Sequence, residues 1–460
     1  MDDTKNLVSD SHAVITEGSI WSAIWHMAWP IVIDFGAIAL ASLFDAWIAG
    51  RIGANAQAAI GIGTQITYLL IILTNALPTG TSALFSRFWG AGDRQSAIEA
   101  ARHSIIFAFF FGIGSVIFGL LVCRPLLQFL GATPETEELA WQLLRWELLS
   151  NLPFCILWLV KAVFRARGNA RLPMAITFFT CSITILTEIA LCIYPFQMGM
   201  AGIGIAWLVA AALSALLILY LLKDSDLGDC LDFHYLKPRY WSLTWLRRLM
   251  NIGIPACIQD VVWVLCNFAI LIILSHTLDP TAGQAAWAVG LRVEELLASF
   301  PLYALARAAG TIVGQNLGAE RPDRAEAAGW QIAIGSALWC ALVVICMFLF
   351  GNQIAGFMSH SPKVITDSVQ YLQIIGLSLP FQAFAITLFG AMQGAGYTRM
   401  PMIAEVCCLL FVRLPLCWVL SIEMHMGSAG TWLGMALSVV LVGILASWQF
   451  KSGIWKTQQV

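Results

Sequence analysis

The sequence predicts an all-α membrane protein of twelve transmembrane helices, arranged as two pseudo-symmetric six-helix bundles. Three observations carry this. Of 460 residues, 59% are hydrophobic and only 11% charged, with a mean hydropathy of +0.79. Soluble domains carry about a quarter charged residues, so the charge here is too sparse to coat a water-facing surface. Apolar runs of the roughly 20 residues that cross a bilayer core recur twelve times. Finally, the second half of the chain repeats features of the first at a fixed spacing.

The runs fall near 22–48, 57–80, 103–127, 139–163, 172–195 and 201–222, and then near 249–276, 284–306, 328–350, 366–392, 401–422 and 430–450. A polar stretch from Lys223 to Arg248 separates the two sets. The expected organisation is therefore an N-terminal lobe over 1–222, a connector over 223–248 and a C-terminal lobe over 249–460. The N-terminal tail is polar and acidic through about Thr16, without the basic start and early apolar core of a signal peptide. The first helix is expected to serve as its own insertion signal.

Lys and Arg predict the orientation. Of the 25, Arg145, Arg292 and Arg413 fall within spans. Arg51, Arg124 and Lys363 fall in one set of loops. The rest, including Arg87, Lys161, Arg165 and Lys223, fall in the other set and the tails. The positive-inside rule then puts both termini in the cytoplasm. The net charge of −2 gives no field that would attract nucleic acid. Twelve cysteines lie scattered, mostly in apolar runs, with no CxxC pair; they read as small apolar fillers, not as metal ligands or disulfides.

The repeat has a spacing of 228. It pairs Gly90-Ala91 with Gly318-Ala319, Pro134 with Pro362, and Ala201-Gly202 with Ala429-Gly430. It also pairs Gly168, Arg171, Pro173 and Met174 with Gly396, Arg399, Pro401 and Met402. Six spans per copy give both copies the same insertion topology, the arrangement of transporters whose halves are related by an axis along the membrane normal.

Three stretches resemble the MATE family of multidrug and toxic compound extrusion transporters. One is Pro30 followed by Leu43-Phe44-Asp45-Ala46-Trp47-Ile48-Ala49-Gly50. The most specific is Gly290-Leu291-Arg292-Val293-Glu294, with Gly314-Gln315-Asn316-Leu317-Gly318-Ala319 and Arg321 after it. The third is the duplicated Gly-x-x-Arg-x-Pro-Met before helices five and eleven. The resemblance covers nearly the whole chain. It implies a V-shaped pair of lobes exporting small organic, often cationic, compounds against inward H+ or Na+ flow, as a monomer in the bacterial plasma membrane. Membrane lipids are its surroundings, and no cofactor beyond the coupling ion is implied.

Charges kept inside a membrane cost about 3 kcal/mol each on insertion scales and usually face a cavity or a partner. The candidates are Asp34, Asp45, Arg145, Glu147, Glu188, Asp260, Arg292, Glu294, Glu295, Glu405 and Arg413. The resemblance implies that Asp45 is a protonation or ion site of the N-terminal lobe. A carboxyl in a low-dielectric cavity is poorly solvated when charged, so it can exchange a proton for a cationic substrate. Asp34 lies eleven residues earlier, three turns plus about 20°, and suits a second step on the same path. The alternative for Asp45 is an acid at the outer helix end, bathed in water. Glu188 is expected to neighbour Asp45. Asp260 follows Pro255 much as Asp34 follows Pro30. Where sodium-coupled relatives place acids in helices seven and ten, this chain has Trp263 and Gln382, which favours H+. Arg292 and Glu295, three apart, are expected to pair along their helix, leaving Glu294 as a cavity residue. Gln65, Tyr68, Asn151 and Gln382 are polar groups that either line a cavity or join helices.

No GxxxxGK[ST] or HExxH motif occurs, which argues against an ATP-driven pump and a metalloprotease. The alternatives are a flippase for lipids or lipid-linked precursors, which would want a basic cavity, and more remotely a membrane-embedded transferase.

Overall fold

The structure is a computed structural model that describes residues 14–129, 133–232 and 242–458. The tail before residue 14 and residues 233–241 of the expected connector lie outside them. Among the described residues there is no strand, and twelve helices are long and apolar enough to cross a membrane. In chain order these are α1 (Ile20–Ile52), α2 (Asn55–Gly90), α3 (Arg94–Gln128), α4 (Pro134–Arg167), α5 (Arg171–Ile193) and α6 (Met200–Lys223). The second set is α7 (Leu243–Ser275), α8 (Pro280–Gly318), α9 (Pro322–Met358), α10 (Pro362–Gly394), α11 (Arg399–Glu423) and α12 (Ser428–Lys451).

Local chemistry sets many of the ends. Proline occupies the first turn of α4, α8, α9 and α10, where its missing N–H and fixed φ cost nothing. Thr133 caps α4, its hydroxyl accepting from the Thr136 N–H at 3.3 Å. Pro30, Pro153, Pro255 and Pro380 sit inside helices, where each removes a backbone hydrogen bond and permits a bend.

The repeat seen in the sequence is present in the backbone at the same register. Gly199 and Gly427, 228 apart, have φ of 60° each. The pairs Gly168 and Gly396, Gln197 and His425, and Gly92 and Glu320, at the same spacing, also have positive φ. α6 and α12 begin and end 228 apart. Five-residue stretches of wider π-type turns close α5 at Ile189–Ile193 and α11 at Val419–Glu423. A third, Glu295–Ser299, interrupts α8 just before Pro301.

The chain forms two compact units. One is Trp29–Cys257; the other joins residues 14–28 to residues 258–458. The lobes expected from the sequence divide at the connector, whereas these units divide inside α1 and α7. The packing shows why. In the first unit, a Cβ on Gly253 of α7 would meet the Ala76 carbonyl at 2.0 Å, and one on Gly80 would meet that of Leu249 at 2.3 Å. In the second, the Asn316 side chain and Arg324 donate to the Ile15 carbonyl, Arg321 to Thr16, and Arg324 also to Gly18. α4 is the centre of the first unit, packed on α2, α3 and α6, and α10 is the centre of the second, packed on α8, α9 and α12. Each has 61% of its apolar stretch buried, against 28–56% in the other helices. All twelve cysteines are free.

Candidate functional site

The two acids of α1 end in opposite environments within the first unit. Asp34 is buried in ion pairs. Lys161 Nζ of α4 lies 2.9 Å from Asp34 Oδ1, and Arg165, one turn on, lies 3.8 Å from Oδ2. The Thr177 hydroxyl of α5 bonds to the same carboxylate and accepts from Lys161. Asp34, expected as a second step on the path of Asp45, is thus clamped by two bases. Lys161 and Arg165 had been counted with a loop; both are buried inside α4.

Asp45, three turns further along, has no base beside it. Its Oδ2 accepts from the Trp207 indole N–H at 3.2 Å, and its Oδ1 is buried with no protein donor. The Glu188 carboxyl of α5, fully buried, comes within hydrogen-bonding reach of Asp45, and neither of its own oxygens finds a protein donor. Two carboxylates can bond to each other only through a shared proton. Without one, or a cation in its place, they repel in a setting that screens little. Asp45 and Glu188, named from the sequence as one site, thus face each other. Glu147 of α4, given no role from the sequence, stands in electrostatic range of both. The Thr67 hydroxyl of α2 donates to it at 2.8 Å. Beside the acids runs a half-buried aromatic row: Trp207 to Phe154 at 5.9 Å between ring centroids, and Phe154 to Trp158 at 5.5 Å.

The second unit holds acids of a different kind. Glu294 is buried with both oxygens satisfied, by the Tyr371 hydroxyl at 2.7 Å and the Gln382 amide at 3.1 Å. The sequence named Glu294 and Gln382 separately; Tyr371, the second donor to Glu294, was not among the candidates. Arg413 is buried and donates to Ser438 at 2.8 Å, with Glu294 and Glu405 in its electrostatic range. Asp260 is exposed, near Glu405 and Arg307. Glu405 accepts from Gln259 at 2.7 Å. Arg292 and Glu295 form the expected pair at 3.6 Å. Of the remaining polar candidates, Asn151 joins α4 to Ser115 of α3 at 2.9 Å, while Gln65 and Tyr68 are exposed on α2.

A duplicated six-span scaffold with acids retained inside its helices is the architecture of a membrane transporter. The MatE family model matches residues 30–190 and again 255–419, one match in each repeat. The chain belongs to the MatE family of the multidrug and toxic compound extrusion transporters, and it is an integral membrane protein. It is 26% identical over 432 residues to a probable multidrug resistance protein NorM of Thermotoga maritima, covering 92% of this chain and 90% of that protein. It is 24% identical over 446 residues to a FAD transporter of Shewanella oneidensis, covering 95% of each. Among solved structures, a multidrug resistance MATE transporter of the MOP superfamily in an outward-facing conformation superposes with a TM-score of 0.89 at 21% identity, over 96% of this chain and 98% of that one. A Pyrococcus furiosus transporter of the same superfamily, described by a binding pocket of reversed polarity, gives 0.89 at 21% over 96% and 97%.

Proposed function

We propose that this protein is a secondary multidrug exporter that expels small organic cations in exchange for protons by alternating access. The observation that carries the reading is the meeting of half-buried Asp45 with fully buried Glu188, with three of their oxygens lacking a protein donor, a place where an incoming positive charge is stabilising. A proton supplies that charge in one half of the cycle and a cationic substrate in the other. Each excludes the other because both neutralise the same pair. The NorM relative supports efflux of organic compounds. The reading includes a monomer in a bacterial plasma membrane, with both termini cytoplasmic, surrounded by lipid and needing no cofactor beyond the coupling ion. Na+ in place of H+ is the competing choice. A flippase for anionic lipid-linked precursors is less favoured, because Lys161 and Arg165 of the first unit are already engaged by Asp34.

The test uses purified protein in liposomes under an imposed pH or Na+ gradient, with ethidium as cargo. Wild type is expected to move the dye under the pH gradient, and Asp45→Asn to abolish coupled movement while the protein elutes as a folded species. Normal coupling by Asp45→Asn would overturn the assignment.

A further inference from the structure

Glu147 adds a third carboxylate to the Asp45–Glu188 pair, and the surroundings leave the trio short of positive charge. The groups that face it can be named element by element. α1 brings Asp45 and α5 brings Glu188. α2 brings the Thr67 hydroxyl and α6 the Trp207 indole, each giving one hydrogen bond. α3 brings the Cys123 thiol, and Cys192 follows Glu188. On α4 itself, Arg145 is two residues away but exposed, with its guanidinium 5.5 Å from the Trp146 ring centre. Among the described residues no base is placed against these three acids. That contrasts with Asp34, one acid held by two bases in the same unit.

The charge count then decides. One proton between Asp45 and Glu188 settles the pair, but Glu147 is half-buried with a single neutral donor, the Thr67 hydroxyl. Glu188 is fully buried with both oxygens lacking a protein donor, so beyond Asp45 it keeps accepting capacity that a ligand can fill. An uncompensated buried charge costs several kcal/mol, which makes the third acid an expensive feature unless it, too, is neutralised from outside. We propose that Glu147 is a third charge-carrying carboxylate, so that this cluster takes up two positive charges per cycle and accepts planar organic dications beside the Trp207–Phe154–Trp158 row. The inference rests on the exporter reading above and extends it to the charge of the cargo. An aromatic face attracts the ring of such a cation, and the acids meet its two charges.

Ethidium and propidium share one aromatic ring system but carry one and two positive charges. In the liposome assay, wild type is expected to move both, with about two coupling ions per ethidium. Glu147→Gln keeps the shape and the Thr67 hydrogen bond. It should lower propidium transport tenfold or more, worth about 1.4 kcal/mol or above, lower ethidium transport by a smaller factor, and reduce the coupling ratio to about one. Glu147→Asp, which keeps the charge, should restore propidium. A merely structural role would change both dyes alike and leave the ratio untouched, and that result overturns the proposal. So does a wild type that moves ethidium but not propidium, or a Glu147→Gln protein that handles propidium normally. If wild type moves neither dye under either gradient, the exporter reading fails and this extension with it.

Discussion

Asp34 and Asp45 are the same side chain on one helix, yet their neighbours make one a structural element and the other a candidate for chemistry. Breaking a buried ion pair by removing one partner leaves a stranded charge and costs about 3–5 kcal/mol, whereas replacing both ends with apolar groups is often neutral. Asp34→Asn should therefore lower the thermal unfolding midpoint in detergent strongly, because Lys161 and Arg165 remain. An Asp34→Leu, Lys161→Met, Arg165→Met triple variant should recover most of the loss. Equal loss in both proteins would show that the cluster does not act as a balanced set of charges. Which acid would be which was only half legible in the sequence. The resemblance pointed to Asp45 and to Glu188 as its neighbour in helix five. The clamp on Asp34 was hidden because its base lies 127 residues away. Lys161 and Arg165, four apart near the end of an apolar run, do share a helix face. That spacing was the one available signal that they point at something, and counting Lys and Arg by loop discarded it.

At the scale of helices, close approach is what small residues supply, since lipid gives apolar faces no reason to prefer each other over the bilayer. α8 and α10 meet at Gly310 and Gly394, where a Cβ on Gly394 would lie 2.0 Å from the Gly310 carbonyl oxygen. Gly394→Ala cannot fit without parting backbones and should reduce folded yield and unfolding temperature sharply. Gly36→Ala on α1, which meets nothing within 4 Å, should be silent or slightly stabilising in the same assay. Helix starts carry smaller effects. Asp93, exposed before α3, accepts from the Ser96 N–H at 3.0 Å. Hydrogen bonds from the Ser96 hydroxyl and N–H hold its carboxyl below the usual range. A depressed carboxyl stabilises the fold above its unfolded value, near 3.9, and loses that contribution as pH falls through the folded one. Asp93→Ala should thus cost about 0.5–1 kcal/mol at pH 7 and less as pH falls through the depressed folded value, read as the difference in unfolding midpoint between the two proteins.

For the molecule as a whole, the number of helices was legible because hydrophobic length is a direct demand of the bilayer. The repeat was legible because its loop residues do backbone work. Gly168 and Gly396 hold left-handed φ values of 105° and 82° after α4 and α10, conformations that favour glycine, so duplication preserved them while the apolar residues between drifted. The second-unit grouping of Glu294, Tyr371 and Gln382 was not legible, since it depends on how two helices rotate against each other. Orientation is testable directly. A fluorescent protein fused after Thr457 should glow, and alkaline phosphatase fused there should stay inactive, whereas phosphatase fused at Ser359 should be active. The reverse pattern would invert the proposed topology.

The opening residues of α1 and α7 each belong to the unit that the other half of the gene encodes. Neither half of the coding sequence therefore specifies a complete folding body. A polypeptide cut between α6 and α7 would yield two fragments, each missing one stretch that it requires and carrying one that serves its counterpart. Made alone, either fragment should be degraded; made together in one cell, they should accumulate and regain activity by mutual complementation.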